Sequence, residues 1–93
     1  MKVSEVLSKY THWIDVKREH QYVSRHIYDH IEVTPLLVTL FSGENSIETK
    51  NSLTFNNCEI EFSVEPYRRD VEKLLIKFKN GDIQELYCIN IAS

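Results

Sequence analysis

Glycine and proline are scarce, with two of each in 93 residues. Few positions are therefore free to take the unusual backbone angles of long irregular loops, and the connections should be short. Cysteine is equally sparse. Cys58 and Cys88 form no Cys-x-x-Cys unit and are too few for a disulfide scaffold. Both lie in apolar stretches and read as reduced, buried thiols. No apolar run approaches the roughly 18–20 residues of a membrane-spanning helix. The opening residues do not read as a secretory leader, so a cytoplasmic protein is the expectation. An excess of positive charge is also missing. The net charge of −3 argues against direct nucleic-acid binding, which depends on a basic field.

Catalytic signatures are absent as well. There is no Gly-x-Ser-x-Gly elbow and no glycine-rich phosphate loop, because Gly43 and Gly81 both sit in turn contexts. Neither cysteine has a basic sequence neighbour that would lower its pKa.

What is present suits a globular fold: 42% hydrophobic and 27% charged residues. The length implies one domain, residues 1–93, with a single modest core. The strongest local signal is Asn80-Gly81 between two apolar-rich runs, a two-residue hairpin turn in the stretch Glu72–Ile91. Closing there pairs Lys79 with Asp82, Phe78 with Ile83, Ile76 with Glu85 and Leu74 with Tyr87.

Ser4 reads as the cap of a helix running to about Ile14, with Val3, Val6, Leu7, Tyr10, Trp13 and Ile14 along one stripe. Residues 16–33 fit two patterns. A helix aligns Val16, His20, Val23, Ile27, His30 and Ile31; a strand would place Arg25 and Asp29 between apolar residues on its buried side. The helix is preferred, ending before Thr34-Pro35. Leu36–Phe41 reads as a strand, Ser46–Phe55 as a more polar one, and Asn56-Asn57 as a tight turn. In Cys58–Glu65, Cys58, Ile60, Phe62 and Val64 face one way, and Glu59, Glu61, Ser63 and Glu65 the other. Pro66–Asp70 reads as a connection. The expected fold is α+β, with two N-terminal helices packed on a four- to five-stranded antiparallel meander sheet.

Charge is unevenly distributed. Residues 34–65 carry a net −4, with Glu44, Glu48, Glu59, Glu61 and Glu65 against Lys50 alone. Alternate outward carboxylates on a strand are spaced by about 6.5–7 Å, comparable to phosphates along one DNA strand. These five glutamates are the candidate partner-binding residues, set against the common case of a merely solvated face. His26 and His30 would share a helix face and are the weak metal candidates, although no third close ligand accompanies them. Glu48-Thr49-Lys50 has a nuclease-like ending, with Asp29 or Asp15 upstream, but so short a match arises readily by chance. Arg68-Arg69 beside Tyr67 is a small basic patch of the kind found in solvated loops.

Small size, Lys/Asn/Ile-rich wording and no catalytic constellation resemble small accessory proteins of phages and bacteria, a likeness of style that implies binding and blocking another protein. The expectation is a non-enzymatic inhibitor without a cofactor. In its sharper form it is a nucleic-acid mimic that blocks a host nuclease or DNA-binding protein in an anti-restriction role. Its partner would be a protein with a basic nucleic-acid-binding surface, not nucleic acid or membrane. A homodimer is expected from the apolar residues on both faces of the last hairpin, where Leu75, Leu86 and Cys88 oppose the Phe78/Ile83 side. The alternatives are a small metal-dependent nuclease using His26 and His30, and a toxin-neutralising immunity protein.

Overall fold

The computed structural model describes residues 2–43, 52–58 and 60–91. These form one short helix, α1 (Val3–Leu7), and the strands β1 (His12–Glu19), β2 (Tyr22–Tyr28), β3 (His30–Val33), β4 (Leu37–Phe41), β5 (Ser52–Asn56), β6 (Glu61–Arg68), β7 (Val71–Lys77) and β8 (Ile83–Ile89). All pairings are antiparallel. A five-stranded sheet has the order β2-β1-β8-β7-β6, and a three-stranded sheet the order β3-β4-β5. The expected pair of N-terminal helices on one meander is therefore corrected to two antiparallel sheets with a five-residue helix.

Residues 12–33 explain the difference. Their Val, Ile, Tyr and Trp content suits a pleated surface better than a helix. A strand with Val23, Ile27 and Ile31 inside would bury Arg25 and Asp29 with them. In β2 the faces are reversed: Val23 is 54% and Ile27 60% exposed, whereas Tyr28 is buried. The β1–β2 turn lacks a glycine or proline to advertise it. His20 takes the left-handed conformation, φ 53°, which histidine adopts more readily than most residues.

The C-terminal hairpin forms, but one residue out of the expected register. Leu74 pairs with Leu86 and Ile76 with Gln84. The Asn80-Gly81 turn is wider than two residues. Phe78 N–H donates to the Asp82 carbonyl at 2.9 Å, and the Asn80 side-chain oxygen accepts from Asp82 N–H at 2.9 Å. Such a slip exchanges the relative faces of two strands. Here it places Leu74, Ile76, Leu86 and Cys88 together in the core. Leu86 and Cys88 are thus interior, not part of the dimer surface proposed for them.

β6 begins at Glu61, later than the strand expected from Cys58, and continues through Pro66 to Arg68 where a connection was expected. A bulge between Pro66 and Arg68 accommodates the proline, which β6 tolerates as an edge strand. Cys58 is exposed rather than buried, and both cysteines are free thiols.

The core fills the space between one face of the large sheet, α1 and the small sheet. It joins Val3, Val6 and Leu7 from α1, Trp13, Leu74, Ile76 and Leu86 from the large sheet, and Val38, Leu40 and Phe55 from the small one. Asp15 is the charged exception at 1% exposure, and Gln84 donates to its carboxylate at 2.5 Å.

Two side chains anchor α1, which is too short to be stable alone. The Trp13 indole N–H donates to the Leu7 carbonyl at 3.2 Å. Ser4 lies inside the helix rather than capping it, and its N–H donates to the Asn57 Oδ1 at 3.2 Å. The buried Asn57 also donates to the Thr34 carbonyl at 3.1 Å, and its N–H reaches the Leu36 carbonyl at 3.0 Å. This asparagine, expected only to turn the chain, ties α1 to the small sheet. Asn57→Leu is expected to cost about 1–3 kcal/mol by orphaning the buried Ser4 N–H and releasing the part-buried Thr34 carbonyl, read as a lower urea midpoint with unchanged m-value.

Candidate functional site

Strand parity assigns each side chain of the large sheet to a face. With Trp13 and Asp15 inward, Ile14, Val16 and Arg18 of β1 point outward. Ile14 stands opposite Ile27 on β2 and Tyr87 on β8, and Val71 of β7 opposite Ile89. None of these outward residues belongs to the core cluster or packs against it. The sheet therefore has a second apolar face, and Ile27 and Tyr67 are respectively 60% and 49% exposed on it. Outward apolar groups on this scale mark interaction surfaces more often than chance exposure.

The face is concave. Side chains from all five strands line one cavity of about 380 Å³. Ile14, Val16, Val71, Tyr87 and Ile89 make its floor. Its rims are Arg25 on one edge strand, β2, and Tyr67 with Arg68 on the other, β6. Tyr67 projects from the β6 bulge and meets Tyr87 edge-on, with ring centroids 4.8 Å apart, while the Arg68 guanidinium lies 5.2 Å from the Tyr67 centroid. Arg18 also lines the cavity, and among the described residues no carboxylate does. Glu85 bridges Arg18 at 3.2 Å and Lys73 at 3.3 Å.

The expected acidic row is only partly placed. Glu44, Glu48 and Glu59 lie outside the described residues. Glu61 and Glu65 are exposed on β6, as their alternation with Phe62 requires. Their cross-strand partners are Lys77 and Lys73, so the two carboxylates alternate with lysines on the sheet surface.

The metal reading loses its geometric basis. His26 is on β2 of the large sheet and His30 on β3 of the small one, so no helix face unites them. Among the described residues no group of three His, Cys, Asp or Glu side chains is placed to hold a metal ion. Glu48-Thr49-Lys50 lies outside the described residues, and Asp15 is enclosed in the core. Asp29 and His30 instead lock the corner where the chain passes from one sheet to the other. The Asp29 carboxylate accepts the Gly43 N–H at 2.8 Å and lies 2.7 Å from His30 Nδ1. A Cβ at Gly43 would meet the His30 ring, so a larger residue there must displace the imidazole from this corner.

The sequence did hold one signal for the trough. β1 and β8 are apolar at both odd and even positions, so neither strand can hide all its apolar side chains on one face. Which strands would join to make a continuous surface was not readable. Comparison with known protein families, curated proteins and solved structures finds no match.

Two consequences are measurable. The Gly43 N–H, and after it His30, hold the Asp29 carboxyl below its ordinary value. A depressed carboxyl adds stability that is complete above the unfolded-state pKa and lost as pH falls through the lowered one. Asp29→Asn is thus expected to lower stability at neutral pH and flatten its decline below about pH 4, in urea midpoints taken across the acid range. Burial, and then the nearby Glu72 carboxylate, push the Cys88 thiol up to about 12. Iodoacetamide on the folded chain at neutral pH should therefore alkylate exposed Cys58 alone, counted by mass spectrometry, with Cys88 reacting only after denaturation.

Proposed function

We propose that the protein is a non-enzymatic binding protein that holds a protein partner against the uncovered face of its five-stranded sheet. One observation carries this reading: a concave apolar surface, built by all five strands, that α1 and the small sheet leave open. Water contact with Ile27, Tyr67 and their neighbours is unfavourable by about 25 cal/mol per Å² of apolar surface, and a partner would relieve it. Inhibition of that partner is the role suggested by the size of the chain and its lack of catalytic signatures.

A nucleic-acid mimic is the second reading. The exposure of Glu61 and Glu65 on an edge strand favours it, while the lysines beside them weaken the anionic field. An immunity-type role shares either surface.

Affinity capture with the intact chain separates the two surfaces. Ile27→Asn with Tyr67→Asn should release a bound partner, with a loss of about tenfold or more in affinity and a still cooperative melt. Glu61→Lys with Glu65→Lys should leave the same partner bound. The opposite result assigns function to the acidic edge.

A further inference from the structure

The two rims of the trough carry the same charge, and that limits what can lie in it. Arg25 stands on β2 and Arg68 on β6, the two outer strands of the sheet, and Arg18 lies between them on β1. Glu85 partners Arg18. Arg25 has no ion pair or hydrogen bond among the described residues, and Arg68 rests on the Tyr67 ring. An apolar partner sliding between these rims would bury guanidinium groups without compensation, which is costly. The occupant must therefore bring negative charge to both sides of a greasy centre.

We propose, building on the sheet-face reading, that the trough receives an amphipathic helix of a partner protein, with Asp or Glu bordering both sides of its apolar stripe. Width supports a helix. Four interstrand spacings of about 4.8 Å give an arc of roughly 19 Å, shorter across once the sheet is curved. A helix with side chains is about 10–12 Å across and would seat on the floor with its flanks at the rims. Addition of an extra strand to β6 is opposed by Pro66 and the bulge beside it. The floor also favours protein over single-stranded nucleic acid. Its centre is aliphatic, and Tyr67 is engaged by Tyr87 and Arg68 rather than standing free for a base. A second copy of this chain, meeting the trough face to face, would set arginines against arginines.

The test is selection of a displayed helical peptide library against the full chain, with apolar residues fixed at i, i+3, i+4 and i+7 and random residues at the borders. Enriched peptides should carry Asp or Glu on both borders and lose binding at about 0.5 M salt. Their affinity should fall about tenfold or more for Arg25→Glu/Arg68→Glu, and in the same direction for Arg25→Ala/Arg68→Ala, with melts unchanged. Absence of enrichment, neutral or basic borders, or indifference to both arginine pairs overturns the acid-bordered helix. Peptides that fail in this way yet are lost with Ile27→Asn/Tyr67→Asn leave the sheet-face reading standing; peptides insensitive to that pair as well remove both. An oligothymidylate of about twenty nucleotides that binds more tightly than the enriched peptides would overturn the proposal in favour of single-stranded nucleic acid. A dimer in sedimentation equilibrium that Ile27→Asn/Tyr67→Asn dissociates would overturn it in favour of a second copy.

Discussion

The pairing of β1 with β8 is the contact on which the rest depends. It runs from His12 opposite Ile89 to Asp15 opposite Leu86, and it joins residues more than seventy positions apart. On one side of that seam lies the β1–β2 hairpin, and on the other the β6–β7–β8 meander. The two-stranded hairpin alone has too little apolar contact to persist in water. Joined, they make one sheet wide enough to have an inside and an outside. Thr11 reinforces the seam: its N–H donates to the Ile89 carbonyl at 3.0 Å, and its hydroxyl accepts from Ile91 N–H at 2.8 Å.

Once the seam is closed, the two faces meet different fates. The inner face is covered by α1 and the small sheet, and the covering is held by a few buried polar contacts. Asn57 binds α1 to the turn before β4, Trp13 binds it to β1, and the Asp29–Gly43–His30 corner fixes the change of sheet. Among the described residues the outer face has no such cover. Its apolar residues lie in a trough whose curvature brings both sheet edges to one cavity.

Charge follows the same division. The protein as a whole is acidic, at −3, yet the described residues that line the trough include three arginines and no carboxylate. Glu61 and Glu65 stand at the β6 edge beside lysines. Separation of charge in this manner steers a partner's orientation more than it strengthens its binding.

Several features were determined by sequence alone. The strand at Leu37–Phe41, the alternation of Glu61, Phe62, Ser63 and Glu65, and a hairpin near Asn80-Gly81 follow from local pattern, because side-chain period and turn chemistry act over a few residues. The apolar residues on both faces of the last hairpin were also legible, because strand parity is a local property. Local pattern failed at residues 12–33, where either a helical stripe or a strand alternation could be drawn and the side assumed to be buried proved to be the exposed one. It failed again at the last hairpin, where packing Leu74 and Ile76 with Leu86 and Cys88 outweighed the tightest turn. The trough was beyond local reach altogether. Arg25, Val16, Tyr87, Val71 and Arg68 are scattered along the chain and become neighbours only when the first and last strands pair, an outcome decided by long-range burial and not by any stretch of sequence.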